Sequence, residues 1–543
     1  MKRKLFQIAS LVLASSTFVT LAKAAVVPKG TKLAKNQILN KDNSNEPSSL
    51  DPSHCRDNLG ANIIMDLFEG LVSDDPVGKI IPATASHWDI SKDGLKYTFH
   101  LRKDAKWSDG SAVVANDFVY SFKRFVDPKT ASEMAYLAEM IKNAKKINEG
   151  KLNTDLLGVK AVNSNTFEIT LEEPTPYFLS VVSGVNFVPL KKDIIEKFQI
   201  AWTQPENLVG NGAYKLTSWK IGDKSTLEMN PNYWDAKNTV IKKVNYVVAQ
   251  DKTASYRMYE SGQLDWTYGI PPGQYQNLSK KYPKELRSAP DLSSSYLAFN
   301  NTKPPFNNKK LREALSIVIN RENFTKFVTG RNEKPLYDIV PFGVDNYTPY
   351  VPSWSMLSEK ELIAKAEKLY KEAGYSRENP AVIKFSHATN ETDRKYATAL
   401  ASIWEKALGV KTEIISEEWK VHLSYLTEKK YEVTMQLWKA DYNDAQNFIA
   451  LLQSGNMQNI SGYSNKKYDE LLNKSSKELN PLKRKAILFD ASKIAMDDYS
   501  VAPLYSNKTY RLIKSYVQGV TFSSPLDNYR TKDLYIVSHD GNS

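Results

Sequence analysis

Six histidines, His54, His87, His100, His387, His422 and His539, are the side chains best suited to move protons or hold a metal near neutral pH, and no two lie within five residues of each other. No HExxH pair occurs. Gly210-Asn211-Gly212-Ala213-Tyr214-Lys215 opens like a dinucleotide loop but lacks the third glycine, and neither a GxxxxGKS/T loop nor a GxSxG elbow is present. A single cysteine, Cys55, excludes an internal disulfide, a CxxC redox pair and a cysteine-based zinc site; it reads as a partly buried free thiol. Distant residues can still assemble a triad, because triads are recognised by geometry, so missing motifs only weigh against an enzyme. What remains is the run Leu437-Trp438-Lys439-Ala440-Asp441-Tyr442-Asn443, an acid set among aromatics. Asp441 there has two open roles, capping the next helix or receiving a cationic ligand group. The chain carries 30 Tyr, 20 Phe and 10 Trp, and aromatics beside a polar cleft supply amphipathic contact area for binding.

These residues need elements to position them. Tyr97-Thr98-Phe99-His100-Leu101 reads as a strand between the turn signals Asp93-Gly94 and Asp109-Gly110, and Ala213 to Leu216 and Val240 to Val248 as two more. After about residue 293 the pattern becomes helical. Leu311, Ala314, Leu315 and Val318 fall on one helix face; Ser358-Glu359-Lys360-Glu361 is a capping box with Gly374 as the stop; a third helix carries Tyr396 to Ala407 and ends at Gly409. A strand through Val410, Thr412 and Ile414 follows, then a helix with Trp419, Leu423 and Leu426 on one side. The next strand, Tyr431 to Trp438, has Tyr431, Val433, Met435 and Leu437 on one face. Alternating helices and strands predict an α/β layer, in which ligands gather beyond the carboxyl ends of the strands, just after Leu437.

Composition bounds the rest. A chain of 543 residues with 41% hydrophobic and 25% charged residues is folded, and too long for one core; two or three domains are expected. Met1 to Ala24 reads as a cleavable export signal, with Lys2-Arg3-Lys4, an apolar stretch to about Leu21, and Ala22-Lys23-Ala24. Residue 25 is Ala, so a lipid-modified cysteine is not expected. Cleavage leaves 543 − 24 = 519 residues and lowers the net charge from +12 to +8 by removing Lys2, Arg3, Lys4 and Lys23. The remaining charge is interleaved and predicts a solvated face, with no nucleic-acid partner.

Trp438-x-Ala440-Asp441-Tyr442-Asn443 resembles the signature of periplasmic oligopeptide-binding proteins of ABC importers, solute-binding protein family 5. The resemblance extends through Asp66-Leu67-Phe68-Glu69-Gly70-Leu71, Ala105-Lys106-Trp107-Ser108-Asp109-Gly110, Asn116 to Ser121, Val209 to Leu216 and Asn230-Pro231-Asn232-Tyr233-Trp234, covering nearly all of the mature chain. It implies an α/β fold of two lobes joined by a hinge, with a domain inserted in the first. On this chain the first lobe takes residues 25–68, 194–292 and 512–543, the insertion 69–193 and the second lobe 293–511, with the hinge near residue 293.

The resemblance also implies a function: a monomeric, periplasmic, non-enzymatic receptor without cofactor or metal, delivering oligopeptides to a membrane permease. An exported peptide hydrolase is the alternative of a different class. Asp441 anchors the ligand's amino group in this reading. Main-chain groups around Asn58, Ser294 and Trp438 pair with the ligand backbone, while Trp419, Trp438, Tyr268 and Tyr296 wall its side-chain pockets and Ala440 belongs to the signature. Four positions depart from the oligopeptide pattern: Leu426 and Met435 stand where arginines are expected, Met134 where a tyrosine is and Asp393 where a histidine is. Ser293 and Lys439 stand where some members have a cysteine pair. The lost arginines leave Arg394 and Lys439 as candidate partners of a ligand carboxylate, and a murein peptide becomes the alternative ligand.

Overall fold

The computed structural model describes residues 25–249, 251–345 and 347–539. The export signal expected over residues 1–24 lies outside them.

The first strand, β1 (Ile38–Asp42), finds its partner only some 200 residues later. Between them come α1 (Asn58–Leu67) and an antiparallel sheet of β2 (Ala85–Ile90), β3 (Lys96–Leu101), β4 (Val159–Asn163) and β5 (Thr166–Thr170), in the order β2-β3-β5-β4. The alternation read around Tyr97 is real: Tyr97, Phe99 and Leu101 are buried, and Gly94 and Gly110 turn the chain at φ +71° and +89°. The chain then returns through β6 (Tyr214–Lys220), β7 (Lys224–Met229) and β8 (Lys243–Val247), the last lying parallel to β1 in the order β1-β8-β7-β6. Both sheets feed one apolar cluster, which runs from Leu39 and Leu67 through Phe99, Phe122 and Phe167 to Tyr246 and Ile536. The inserted sheet therefore shares its core with the first lobe. A helix α2 (Lys252–Glu260), capped by Asp251, leads out of this layer.

The Gly210-Asn211-Gly212 run locks the return. The Asn211 amide donates to the Glu69 carbonyl at 2.8 Å and its Oδ1 accepts from Glu69 N–H at 2.9 Å, while Gly212 N–H donates to the Leu67 carbonyl. A Cβ on Gly212 would stand 2.5 Å from the Asp66 carbonyl oxygen and 2.6 Å from the Phe68 nitrogen. The glycine serves the close approach of two main chains, which explains why the resemblance to a phosphate-binding loop goes no further.

The second lobe is a six-stranded sheet of β9 (Leu286–Phe299), β10 (Lys334–Pro335), β11 (Val382–Ala388), β12 (Lys411–Glu417), β13 (Val433–Lys439) and β14 (Val501–Leu512), ordered β10-β14-β9-β13-β11-β12. Helices α3 (Lys309–Ile317), α4 (Glu359–Glu372) and α5 (Glu391–Leu408) occupy the spans predicted for them. The Ser358/Glu361 capping box forms, and Gly374 and Gly409 take positive φ at the helix ends. One prediction is corrected. In α6 (Trp419–Thr427) the buried side is His422 and Leu426, while Trp419 and Leu423 face solvent, so the helix is turned relative to the apolar stripe. The cause is polar: His422 is drawn inward by Glu417 of β12, 2.7 Å away.

Strands β9 and β14 cross between the lobes as a pair. Leu286, Tyr510 and Leu512 at one end pack with Tyr259 and Leu278 beside the first lobe, and Leu297, Phe299 and Val501 at the other end lie in the second lobe's clusters. Their ladder is interrupted: Pro290 pairs with Lys508 and Ser294 with Ser506, so three residues, Asp291 to Ser293, oppose Asn507 alone. The extra residues turn their main chain elsewhere, Leu292 N–H to the Pro525 carbonyl (2.9 Å) and the Leu292 carbonyl to Ala440 N–H (2.8 Å). Proline, with no N–H to give, suits the start of such a bulge.

The packing at residue 212 carries a prediction. Gly212→Ala forces a methyl into three main-chain atoms and should cost about 3 kcal/mol, the upper end for overpacking. Chemical denaturation followed by tryptophan fluorescence measures it; an unchanged midpoint would show that this contact is not a constraint.

Candidate functional site

The chain emerges from β13 at Lys439 directly opposite Ser293 of the bulge, the two positions where some members carry cysteines. Lys439 forms an ion pair with Asp291 at 3.2 Å, and Ala440 is tied to Leu292, so the bulge sets the direction in which Asp441 leaves the sheet. Asn447 holds it from the other side. Its Oδ1 accepts from Trp438 Nε1 at 2.8 Å and from Asp441 N–H at 3.3 Å, and its amide donates to the Asp441 carboxylate at 3.3 Å. Asp441 does not take the capping role left open for it: the short helix Gln446–Ile449 has Ala445 at its N-cap with no side-chain cap, and Asp444 Oδ1, one residue earlier, accepts from Gln446 N–H at 2.8 Å.

The inserted domain supplies the rest of the wall. Tyr177 stacks on Tyr442 with ring centroids 4.9 Å apart and planes 4° apart, and Ser180 Oγ accepts from Asn443 N–H at 3.0 Å. The Tyr136 hydroxyl lies near enough to the Asp441 carboxylate to influence its titration. Asp441 opens into a cavity of about 290 Å³ whose walls come from α1 (Asn58, Met65), the insertion (Met134, Leu137, Val185) and the second lobe (Lys439, Ala440). Its carboxylate is exposed to that cavity rather than packed in the core. The surrounding protein still desolvates it and raises its pKa above the ordinary 3.8, while hydrogen bonds from Asn447 and Tyr136 work in the opposite direction. Tyr136 is pushed up to about 12, by desolvation first and then by the neighbouring charge of Asp441. No cation pairs with Asp441 among the described residues.

The sequence-predicted residues divide into three groups. Asn58, Met134, Ala440 and Asp441 line this cavity together. Tyr268 lines a second cavity of about 280 Å³ beside it, joined to the first by Lys439, which lines both. The others stand apart. Ser294 is fully buried, its main chain between Trp438 of β13 and Ser506 of β14, which leaves no room for the expected pairing with a ligand. Tyr296 and Leu426 are buried in the apolar cluster on which Trp438 packs, Met435 is partly buried against the cluster on the opposite face, and Trp419 is 57% exposed on α6. Arg394 is exposed on α5, Asp393 donates its N–H to the Oδ1 of the N-cap residue Asn390 and accepts from the Asn390 amide, and neither lines the two cavities.

Tyr136 and Asn447 escaped the sequence reading. Tyr136 lies two positions from Met134, where a tyrosine was expected, so a search of neighbouring positions would have found it; Asn447 carries no signal. Cys55 lies in the cavity lining, with its thiol pushed up to about 12 by burial, and is unreactive on that account.

With this geometry in hand, residues 79–459 match the model described as bacterial extracellular solute-binding proteins, family 5. The chain belongs to that family. It is 38% identical to the periplasmic murein peptide-binding protein MppA of Escherichia coli over 96% of this chain and 97% of that protein. It is 37% identical to the periplasmic oligopeptide-binding protein OppA of Salmonella typhimurium over 98% of each. Among solved structures it matches MppA in its unliganded open form with a TM-score of 0.86 at 37% identity, over 94% of this chain and 99% of that one. The two-lobed α/β fold of this family is thus the fold of the chain.

The environment of Asp441 is directly testable. The Tyr136 hydroxyl lowers the carboxyl pKa, so Tyr136→Phe should move the Asp441 titration midpoint upward in carboxyl-carbon NMR, and Asn447→Ala should move it the same way. A midpoint that stays in place in both variants would contradict this hydrogen-bonding.

Proposed function

We propose that the protein is a non-enzymatic receptor, exported to the periplasm by a cleaved signal and not lipid-anchored, that captures oligopeptides between its lobes and delivers them to an ABC importer's permease. The carrying observation is the Asp441 carboxylate, desolvated, accepting from the Asn447 amide and without a cation among the described residues, on the wall of a cavity to which both lobes and the insertion contribute. A peptide's α-amino group, protonated below about pH 8, is the missing cation. Ion pairing and a charge-assisted hydrogen bond would hold it there. The two related receptors, one named for oligopeptides and one for murein peptides, support the ligand class.

In this reading the lobes divide as residues 25–68, 194–292 and 512–543 against 293–511, with 69–193 inserted. The separate sheets support that division in outline, with residues 286–292 crossing it as part of the second lobe's sheet, and in this reading the bulge at Asp291–Ser293 is where the crossing strands flex. Tyr136, on the insertion, occupies Asp441 until a ligand amino group competes for it. Closure of the lobes over the ligand would form the surface that the permease reads.

A murein peptide is the second reading, supported by the 38% identity to a receptor named for murein peptides; Leu426 and Met435, apolar where arginines were expected, lie in apolar clusters outside the two cavities. Mass spectrometry of ligands released by denaturing the purified protein separates the readings: linear peptides, cell-wall peptides, or, for a hydrolase, only fragments of supplied peptides.

Calorimetry with tri-alanine tests the anchor. Asp441→Ala should weaken binding at least about tenfold, the scale of a charged hydrogen bond of about 1.5–3 kcal/mol, and N-acetylation of the peptide should do the same to the unmodified protein. Undiminished affinity in both would overturn the assignment. Affinity should also fall on both sides of neutrality. Below the raised pKa of Asp441 the carboxylate is protonated, and above about pH 8 the peptide amine is neutral; a flat profile from pH 4 to pH 10 would contradict the ion pair.

A further inference from the structure

Every residue of the loop 440–444 is tethered, and a charged tether lies outside the lining of both cavities. Ala440 is held by Leu292, Asp441 by Asn447 and Tyr442 by the ring of Tyr177. Asn443 donates its N–H to Ser180 Oγ, and its Oδ1 accepts from Asp345 N–H at 2.9 Å. Asp444 is gripped by Arg484, whose Nη1 donates to Oδ2 and Nη2 to Oδ1, both at 2.7 Å. Arg484 stands near the start of α7 (Pro481–Asp497), where the Asn480 cap accepts from Leu482 and Lys483 N–H. It falls on one helical stripe with Leu488, Ala491 and Ala495, which pack in the same apolar cluster as Ala440 and Phe448. The stripe therefore turns Arg484 inward, and the two charged side chains are only 10% and 14% exposed. The guanidinium also lies over the ring of Tyr177, 5.5 Å from its centroid. Helix, loop and inserted domain meet at this one side chain.

We propose that Arg484 is a positioning residue of the ligand anchor: its fork on Asp444 holds the loop between α7 and Tyr177 of the insertion, and so keeps the Asp441 carboxylate aimed at the ligand's amino group. This rests on the peptide-receptor reading and deepens it. A planar guanidinium paired with both oxygens of a carboxylate fixes direction as well as distance, which a single ammonium contact does not. Asp441 lies three residues from Asp444, and a charge-assisted hydrogen bond to a ligand keeps its strength only while its geometry is kept. Arg484 itself lines neither cavity and acts through Asp444. The titration of Asp441 is governed by desolvation, Asn447 and Tyr136, so an effect of Arg484 on it runs through the position of the loop.

Calorimetry on the mature chain with tri-alanine and N-acetyl-tri-alanine tests this, because the ratio of the two affinities measures the amino-group anchor. Arg484→Met should lower that ratio at least about twofold, the lower end for residues coupled in one network, with affinity for the acetylated peptide unchanged. A general loosening of the fold would weaken both peptides alike and leave the ratio in place, and that result overturns the proposal. A second readout needs no ligand. In carboxyl-carbon NMR the Asp441 midpoint should fall in Arg484→Met, toward the ordinary carboxylate value, because a loosened loop admits water to a carboxylate that desolvation now holds high. Loss of a nearby positive charge by itself would move the midpoint upward; a midpoint that stays or rises overturns the proposal. Arg484→Lys keeps the charge and loses the fork, so it should move both readouts in the same directions, and it is read in place of Arg484→Met if the latter does not fold. Where binding of the acetylated peptide is too weak to measure, the midpoint alone decides. If N-acetylation is harmless to the unmodified protein, the Asp441 anchor falls, and if neither peptide binds, the receptor reading falls; in both cases the midpoint still decides whether Arg484 positions Asp441.

Discussion

Three residues against one, Asp291 to Ser293 opposite Asn507, form the irregularity on which the site depends. A regular ladder between β9 and β14 would leave no residue out of the pairing, alternate residues of β9 bonding β14 and the others turning the opposite way. The bulge frees Leu292 to bond Pro525 on one side and Ala440 on the other, and it aims Asp291 at Lys439. The strand that carries the signature is thereby fastened to the chain crossing between the lobes. Any rearrangement of that crossing is felt two residues from Asp441.

The second dependence is the shared apolar core. The inserted sheet and the first lobe bury one continuous cluster, and the lock between Asn211 and Glu69 joins the outgoing and returning chain. Because the insertion cannot move freely against the first lobe, its contacts with the second lobe carry positional information. The Tyr177–Tyr442 stack, the Ser180–Asn443 hydrogen bond and the Tyr136–Asp441 contact place the 440–444 loop relative to α1. Desolvation of Asp441 follows from that enclosure and not from burial in a core.

Charge is arranged asymmetrically along the end of β13. Asp441, without a cation among the described residues, faces one cavity, and a cluster in which cations outnumber carboxylates faces the next, with Lys439 between them. Both cavities lie beyond or beside the carboxyl end of the strand, where α/β sheets gather ligands because the loops diverge there.

Much of this was legible in the sequence because it is local. The capping box at Ser358, the glycine stops at Gly374 and Gly409 and the alternation of Tyr97, Phe99 and Leu101 depend on neighbours a few residues away, and periodicity records those neighbours directly. The run around Asp441 was visible for the same reason, as was membership of the family through blocks spread along the chain. The tertiary structure alone decided which side chains meet. Burial of Tyr296 and Leu426, the effect of Tyr136 on Asp441 and the gathering of Lys252, Arg331 and Lys508 all join residues far apart in the chain. No spacing rule encodes such pairs. Their energies come from desolvation and charge at a particular point in space, and that point exists only after the two strands have crossed and the lobes have packed.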